Sequence, residues 1–332
     1  MTGTLTTENP VLHAIRSFTT AENPSSFLAV SDGNSYFQLP DHQGVIVYRR
    51  SGRFLVQFGG PFAPAASYHA LLAGFLAMAR DGGLDVVSVQ LQQTDASIYL
   101  RHGFTVNQVG ASWARSLAGF SLRGTKFMQL RNKISRALRA GLTISEATDD
   151  RWFPALREID QVWLRSKGEH ARPLEYLVGQ YADAMQPHRR MFIGFIDETP
   201  VGYISYSPVY GNRSGWMHDL SRRLPSRLPG IMEAINMHAI DAFRTEGVDW
   251  IHFGFTPFSG LRRECELPGH DPGFRCFMEL LWHHGEAVYP AQSQLAYKEK
   301  WAPDLFIPEY VAFHGPASIA GFAHIFRASN AF

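Results

Sequence analysis

The sequence predicts an α/β fold in which one arrangement of strands and helices is built twice, and three observations carry that expectation. Strand-like apolar runs and amphipathic stretches recur in the same order in the two halves. The 332 residues exceed one typical domain. A composition of 45% hydrophobic and 18% charged residues can bury a large core. Only Cys265 and Cys276 are present, so the fold rests on that core rather than on disulfides, and a reducing compartment is the natural setting. Residues Met1 to Pro10 lack a basic-then-apolar leader pattern, and no stretch approaches the roughly 18 uncharged apolar residues of a membrane span. The expectation is a cytoplasmic chain without a membrane span.

In the first half, Gly44-Val-Ile-Val-Tyr-Arg49 and Phe54-Leu-Val-Gln-Phe58 flank Ser51-Gly52 as a β-hairpin, and Gly59-Gly-Pro61 stops its second strand. Leu71, Leu72, Phe75, Leu76 and Ala79 recur at helical spacing, Gly82-Gly83 ends that helix, and Val86 to Leu91 reads as a strand. A short helix closing at Gly103-Phe104 and another strand follow. After a basic amphipathic helix over Phe127 to Leu138 the pattern restarts. Trp152 to Arg165 reads as a helix, Met191 to Ile196 and Val201 to Ser207 as a hairpin, and Ser214 to Leu220 as a third strand. Gly230 to Thr245 is then a helix and Trp250 to Phe255 a strand. The order β-β-β-α-β is that of the acetyltransferase (GNAT) core. The fold expected is therefore tandem GNAT, two mixed sheets flanked by helices, divided as an N-terminal unit over 1–120, a basic bridge over 121–145 and a catalytic unit over 146–332.

Net charge is +1, yet Ala96 to Ser145 contains no Asp or Glu. Arg123, Lys126, Arg131, Lys133, Arg136 and Arg139 crowd the bridge, where they form either a solvated helix face or a patch that neutralises phosphates. Trp113, Phe120 and Phe127 read as core aromatics.

In a GNAT half the third strand leads into a helix whose free N–H groups bind a phosphate. Here that junction contains Arg227-x-x-Gly230-x-Met232, half of the loop that cradles the pyrophosphate of coenzyme A. Pro229 removes an amide donor and Met232 is bulky where a small residue is needed, which disfavours that donor. Asp219 and Arg222 stand at the end of the preceding strand. A carboxylate there can hold an ammonium and a guanidinium can hold an oxyanion, unless the two simply form a surface ion pair. His218, next to Asp219, would face the other side of a regular strand and read as packing. Cys265, His270, Cys276, His283 and His284 match no common zinc spacing, so no metal is expected.

Eight segments resemble, in order, the C-terminal catalytic domain of the bacterial phosphatidylglycerol lysyltransferase and alanyltransferase family. They are Gly44 to Arg49, Gly59-Gly-Pro-Phe62, Tyr99-x-x-x-Gly103-Phe104, Phe120 to Gly124 with Leu130-Arg-Asn132, Trp163-Leu-x-x-Lys167-x-Glu169, Asp219-Leu-Ser-Arg222, Phe253 to Gly260, and Tyr297-Lys-Glu-Lys300-Trp-x-Pro303. The resemblance implies an enzyme that moves an aminoacyl group from aminoacyl-tRNA, its co-substrate, with no other cofactor. It places catalytic roles on Asp219 and Arg222 and the tRNA 3′ end on Lys298 and Lys300, with Glu169 as a further contact. Arg227, Arg131, Lys133 and Arg136 complete the expected tRNA-binding set.

Two departures bear on the acceptor. Gly110-Ala-Ser-Trp-Ala-Arg115 replaces an acidic segment of the family, and the multi-span region of its membrane enzymes is not found in this sequence. Both favour a small-molecule acceptor over a lipid headgroup. The alternatives are a coenzyme A-dependent N-acyltransferase and a non-catalytic module that binds tRNA or lipid headgroups.

Overall fold

The computed structural model describes residues 9–19, 23–167 and 172–331. The first half comprises α1 (Pro10–Phe18), β1 (Ser35–Leu39), β2 (His42–Ser51), β3 (Phe54–Phe62), α2 (Ala65–Asp81), β4 (Asp85–Leu91), α3 (Gln93–Arg101) and β5 (Phe104–Ser116). Then come the bridging helix α4 (Met128–Arg139), β6 (Thr143–Glu146), α5 (Phe153–Arg165), β7 (Arg190–Ile196), β8 (Thr199–Val209), β9 (Gly215–Arg223), α6 (Ile231–Thr245) and β10 (Trp250–Pro257). The chain continues through α7 (Pro272–His284), α8 (Ala291–Glu299), β11 (Leu305–His314) and α9 (Ile319–Ala328).

The two expected sheets join edge to edge into one of eleven strands, ordered β1-β2-β3-β4-β11-β5-β10-β9-β8-β7-β6. Two pairings produce the join. β10 runs antiparallel to β5 from Trp250–Ser116 to Pro257–Gly110. β11, from the end of the chain, lies between β4 and β5, with Tyr310 opposite Leu91 on one side and Gln108 on the other. The second half thus supplies a strand to the first.

Each half contains one parallel pair that stops pairing before its strands end. β3 and β4 pair from Phe54–Asp85 to Phe58–Val89, and β9 and β10 from Gly215–Trp250 to Met217–His252. Beyond those points the ladder is broken, which is the splay of the tandem GNAT fold. Local chemistry sets the hairpins. Asp197 and Glu198 both take positive φ (47° and 63°), the pattern of a two-residue turn matched to the twist of β7 and β8.

The helices cover the sheet through the residues the periodicity marked. α2 buries Leu71, Leu72, Phe75 and Leu76, and α6 buries Ile235, Ala239, Ile240 and Phe243. α4 contributes Leu130, Ile134 and Ala137 to the same core cluster as α6, joined by Phe120 and Phe127. Gly230, at the start of α6, has φ +91°, and a Cβ there would lie 2.1 Å from the Lys133 carbonyl oxygen. Close packing of α4 on α6 therefore needs a glycine at that position.

Gly247 takes a similar φ of +77° with nothing near its missing Cβ. Gly247→Ala is expected to cost only the left-handed conformational penalty of about 1–2 kcal/mol. Gly230→Ala should cost at least about 2 kcal/mol more, because backbone must also move. Urea unfolding of the two variants, side by side, checks the difference.

Candidate functional site

Beyond Met217–His252 the opened ladder borders a cavity of about 600 Å³. One part of its lining is polar: Trp163, Lys167, Arg172, His218, Asp219, Ser221, Arg222, Arg223 and Lys298. The other part includes Leu28, Val89, Val109, Phe322 and Ile325, which belong to a single hydrophobic cluster shared by both halves.

Asp219 reaches this cavity through a β-bulge. Across β8 and β9, Ser205 faces Leu220 and Tyr206 faces His218, so Asp219 has no register partner. An extra residue re-aims the side chains around it. His218 and Asp219 consequently both line the cavity, which corrects the expectation that His218 packs on the opposite face. Burial pushes the Asp219 carboxyl up to about 6, against the opposing charge of Arg189. Arg189 is already held by Asp183, at 2.5 and 3.0 Å. Asp219 Oδ2 is buried and makes no well-formed hydrogen bond among the described residues, although the Ser207 hydroxyl and the Gly179 N–H lie near the carboxylate and favour its charge. Gly179 packs over it so closely that a Cβ there would lie 2.2 Å from Oδ2.

The Arg222 guanidinium carbon sits over the Trp163 ring, 3.8 Å from its centroid. Its Nη1 donates to the Ser221 carbonyl at 2.8 Å. Asp160 sits behind it electrostatically, its carboxylate accepting the hydroxyls of Tyr181 and Tyr203 at 2.7 and 2.5 Å. Stacking and one backbone bond leave N–H groups of the guanidinium for a ligand.

Lys298 is on α8, where its side chain is buried. Its Nζ donates to the Gly254 and Phe255 carbonyls at 2.7 and 3.0 Å, in the stretch of β10 that no longer pairs with β9. Burial pulls the ammonium down to about 7, partly offset by the charge of Glu309. Glu309, buried on β11, accepts from Ser112 Oγ, and burial pushes its carboxyl up.

The remaining expected residues are not brought together at this cavity. Lys300 pairs with Glu233 at 2.9 Å, and Arg227 is exposed on the loop before α6. Arg131 donates to the Leu122 and Gly124 carbonyls, fastening the start of the bridging helix. Lys133 and Arg136 lie on α4 away from the cavity lining. Glu169 lies outside the described residues. At the half-matching loop, Gly230 serves helix packing, and the first turn of α6 carries its own carboxylate, Glu233. Glu233, paired with Lys300, already occupies that helix start. Sequence reasoning missed Arg172, Arg223 and Tyr289, which lack a motif, and left Trp163 and Tyr297 without a role although both stand in quoted segments.

A carboxyl raised from 3.8 to about 6 is charged at a cost in the folded state. The native protein holds the extra proton between those values, so stability falls as pH rises through that window. Asp219→Asn is therefore expected to stabilise the fold by about 1–3 kcal/mol at about pH 8 and to give no gain below about pH 4. Thermal unfolding across pH checks both the sign and the window.

Comparisons with known proteins bear on the fold and the family of the chain. Phosphatidylglycerol lysyltransferase from Bacillus subtilis is 22% identical over 302 residues, covering 90% of this chain and 34% of that protein. The lysylphosphatidylglycerol biosynthesis bifunctional protein LysX from Rhodococcus opacus is 21% identical over 294 residues, covering 85% and 26%. This chain thus spans about a third or less of those relatives. The solved structure of L-PGS from Bacillus licheniformis superposes with a TM-score of 0.76 at 20% identity, covering 96% of each chain. A C-terminal domain (DUF2156) from Agrobacterium fabrum gives 0.76 at 18% identity, covering 97% of this chain and 94% of that one. The family described as "Phosphatidylglycerol lysyltransferase, C-terminal" matches residues 14–313, nearly the whole length, and the chain belongs to that family.

Proposed function

We propose that this protein transfers an aminoacyl group from aminoacyl-tRNA to the hydroxyl of an acceptor that carries an apolar chain. The observation that carries this reading is the cavity itself. It joins a buried carboxylate with an unpartnered oxygen and a stacked guanidinium to an apolar wall built from both halves. An aminoacyl ester is already activated, so the site must align the nucleophile with the carbonyl, stabilise the oxyanion and move one proton. Asp219 receives the α-ammonium, since Oδ2 lacks a partner and only an ionised carboxylate repays its burial by binding a cation. Arg222 directs its open N–H groups at the developing oxyanion. Lys298 keeps one N–H beyond its two carbonyl contacts for the ribose of the tRNA 3′ end.

The apolar wall favours a lipid over the small-molecule acceptor that sequence reasoning preferred, and the named relatives act on phosphatidylglycerol. Lys133 and Arg136, with Arg139, provide the outer face of α4 for the acceptor stem. Arg131 and Lys300 serve structure instead, because backbone carbonyls and Glu233 occupy them.

Two measurements test the reading. Asp219→Ala and Arg222→Ala should each lower transfer from labelled aminoacyl-tRNA to phosphatidylglycerol vesicles by about 100-fold or more, with tRNA affinity retained. Unchanged turnover in both would take the chemistry away from these two residues, and absence of transfer by the wild type with any aminoacyl-tRNA would leave only a binding module. Reversing Lys133, Arg136 and Arg139 to Glu should weaken tRNA binding by at least about tenfold and flatten its salt dependence by about three counterions. Equal binding by wild type and the triple variant would remove the patch from the interface.

A further inference from the structure

The reaction proposed above needs a group that takes the proton of the acceptor hydroxyl, and most polar groups in the cavity are unsuited to it. Arg222 has no lone pair to offer. Lys298 commits two N–H groups to the Gly254 and Phe255 carbonyls and its third to the ribose in the reading above. Asp219 is committed to the ammonium in the reading above.

His218 differs from all of these. Its Nδ1 lies 3.2 Å from Asn236 Oδ1, and that same oxygen accepts the Tyr206 hydroxyl at 2.6 Å. An amide oxygen only accepts, so Nδ1 carries the ring hydrogen and Nε2 keeps its lone pair. The bond to Asn236 is the ring's only hydrogen bond among the described residues. The ring lines the cavity beside Asp219, and its centroid is 5.6 Å from those of Tyr206 and Tyr297. Burial, with the nearby charge of Lys298, pulls its pKa down to about 4, so the imidazole is neutral at physiological pH. The groups that face it are Tyr206 from β8, Asn236 from α6, and Tyr297 and Lys298 from α8. The other buried histidine of this sheet, His252, is spent on structure: its Nε2 bonds the Arg213 carbonyl at 2.8 Å and it does not line the cavity.

We propose that His218 is the general base of the transfer, with Asn236 as the residue that holds its tautomer. This rests on the reading of the cavity as an acyl-transfer site. The acceptor oxygen adds to the ester carbonyl carbon while its proton passes to Nε2. Collapse of the tetrahedral intermediate breaks the bond from that carbon to the tRNA ribose oxygen, and the imidazolium returns the proton to the departing oxygen. The products are an aminoacyl ester and an uncharged tRNA 3′ end, and no further reactant is consumed. General bases contribute on the order of 10² to 10⁴ in rate.

The test uses bulk tRNA charged with radiolabelled amino acids and vesicles of phosphatidylglycerol in phosphatidylcholine. His218→Ala and His218→Gln are expected to slow single-turnover transfer to the lipid by about 100-fold or more, with tRNA affinity unchanged and the protein still folded at the assay temperature. Hydroxylamine attacks esters without prior loss of a proton, so hydroxamate formation by the variants should stay within about threefold of wild type. Added imidazole should restore lipid transfer in His218→Ala. Wild-type transfer rates in both variants would overturn the proposal. So would equal losses with lipid and hydroxylamine that imidazole does not relieve. If wild-type protein forms neither product, the parent reading of the cavity falls and this proposal falls with it.

Discussion

A parallel strand pair that stops pairing midway leaves backbone carbonyls and amides without a ladder, and buried groups of that kind must find other partners. The end of β9–β10 pairing at Met217–His252 imposes this demand on the second half. Lys298 answers part of it by capping Gly254 and Phe255, and that contact fixes α8 across the opening. On the other side of the opening, the bulge at Asp219 absorbs an extra residue and turns two neighbouring side chains into the space. The cavity therefore follows from the broken ladder.

The same break explains the electrostatics. Because the opening is roofed by both halves, the groups within it lose water, and each shifts toward its neutral form. Asp219 is pushed up to about 6, Lys298 is drawn down to about 7, and His218 to about 4. Such shifts cost stability and favour ligand binding, since a substrate charge or dipole then supplies what solvent no longer does. β11 makes this enclosure permanent. A strand from the end of the chain completes the first half's sheet and carries Glu309 into the interior opposite Lys298, so the halves cannot separate without exposing both.

The two halves contribute unequally to the cavity. Both keep a broken parallel pair, but every charged residue that lines the main cavity comes from the second half, while the first half contributes Leu28, Val89 and Val109 to the apolar wall with Ser25 and Gln90 beside them. The helix start that would bind a cofactor phosphate in the second half holds Glu233 and packs against α4. One bridging helix thus packs against that helix start while presenting Arg136 and Arg139 outward.

Much of this was readable in the sequence alone, for definite physical reasons. Periods of two and near four residues identify strands and helices, because burial on one face is a local property of spacing. Eight short segments in family order pointed to Asp219, Arg222 and Lys298, and all three line the cavity. Three features depended on tertiary structure. Strand parity placed His218 away from the site, and only the pairing between β8 and β9 reveals the bulge that brings it in. Lys300 and Arg131 looked equivalent to other basic residues until their partners, Glu233 and the Leu122 and Gly124 carbonyls, came from distant or looped segments. The union of two sheets into one was settled by β11 crossing between halves, a contact across more than two hundred residues that no local pattern encodes.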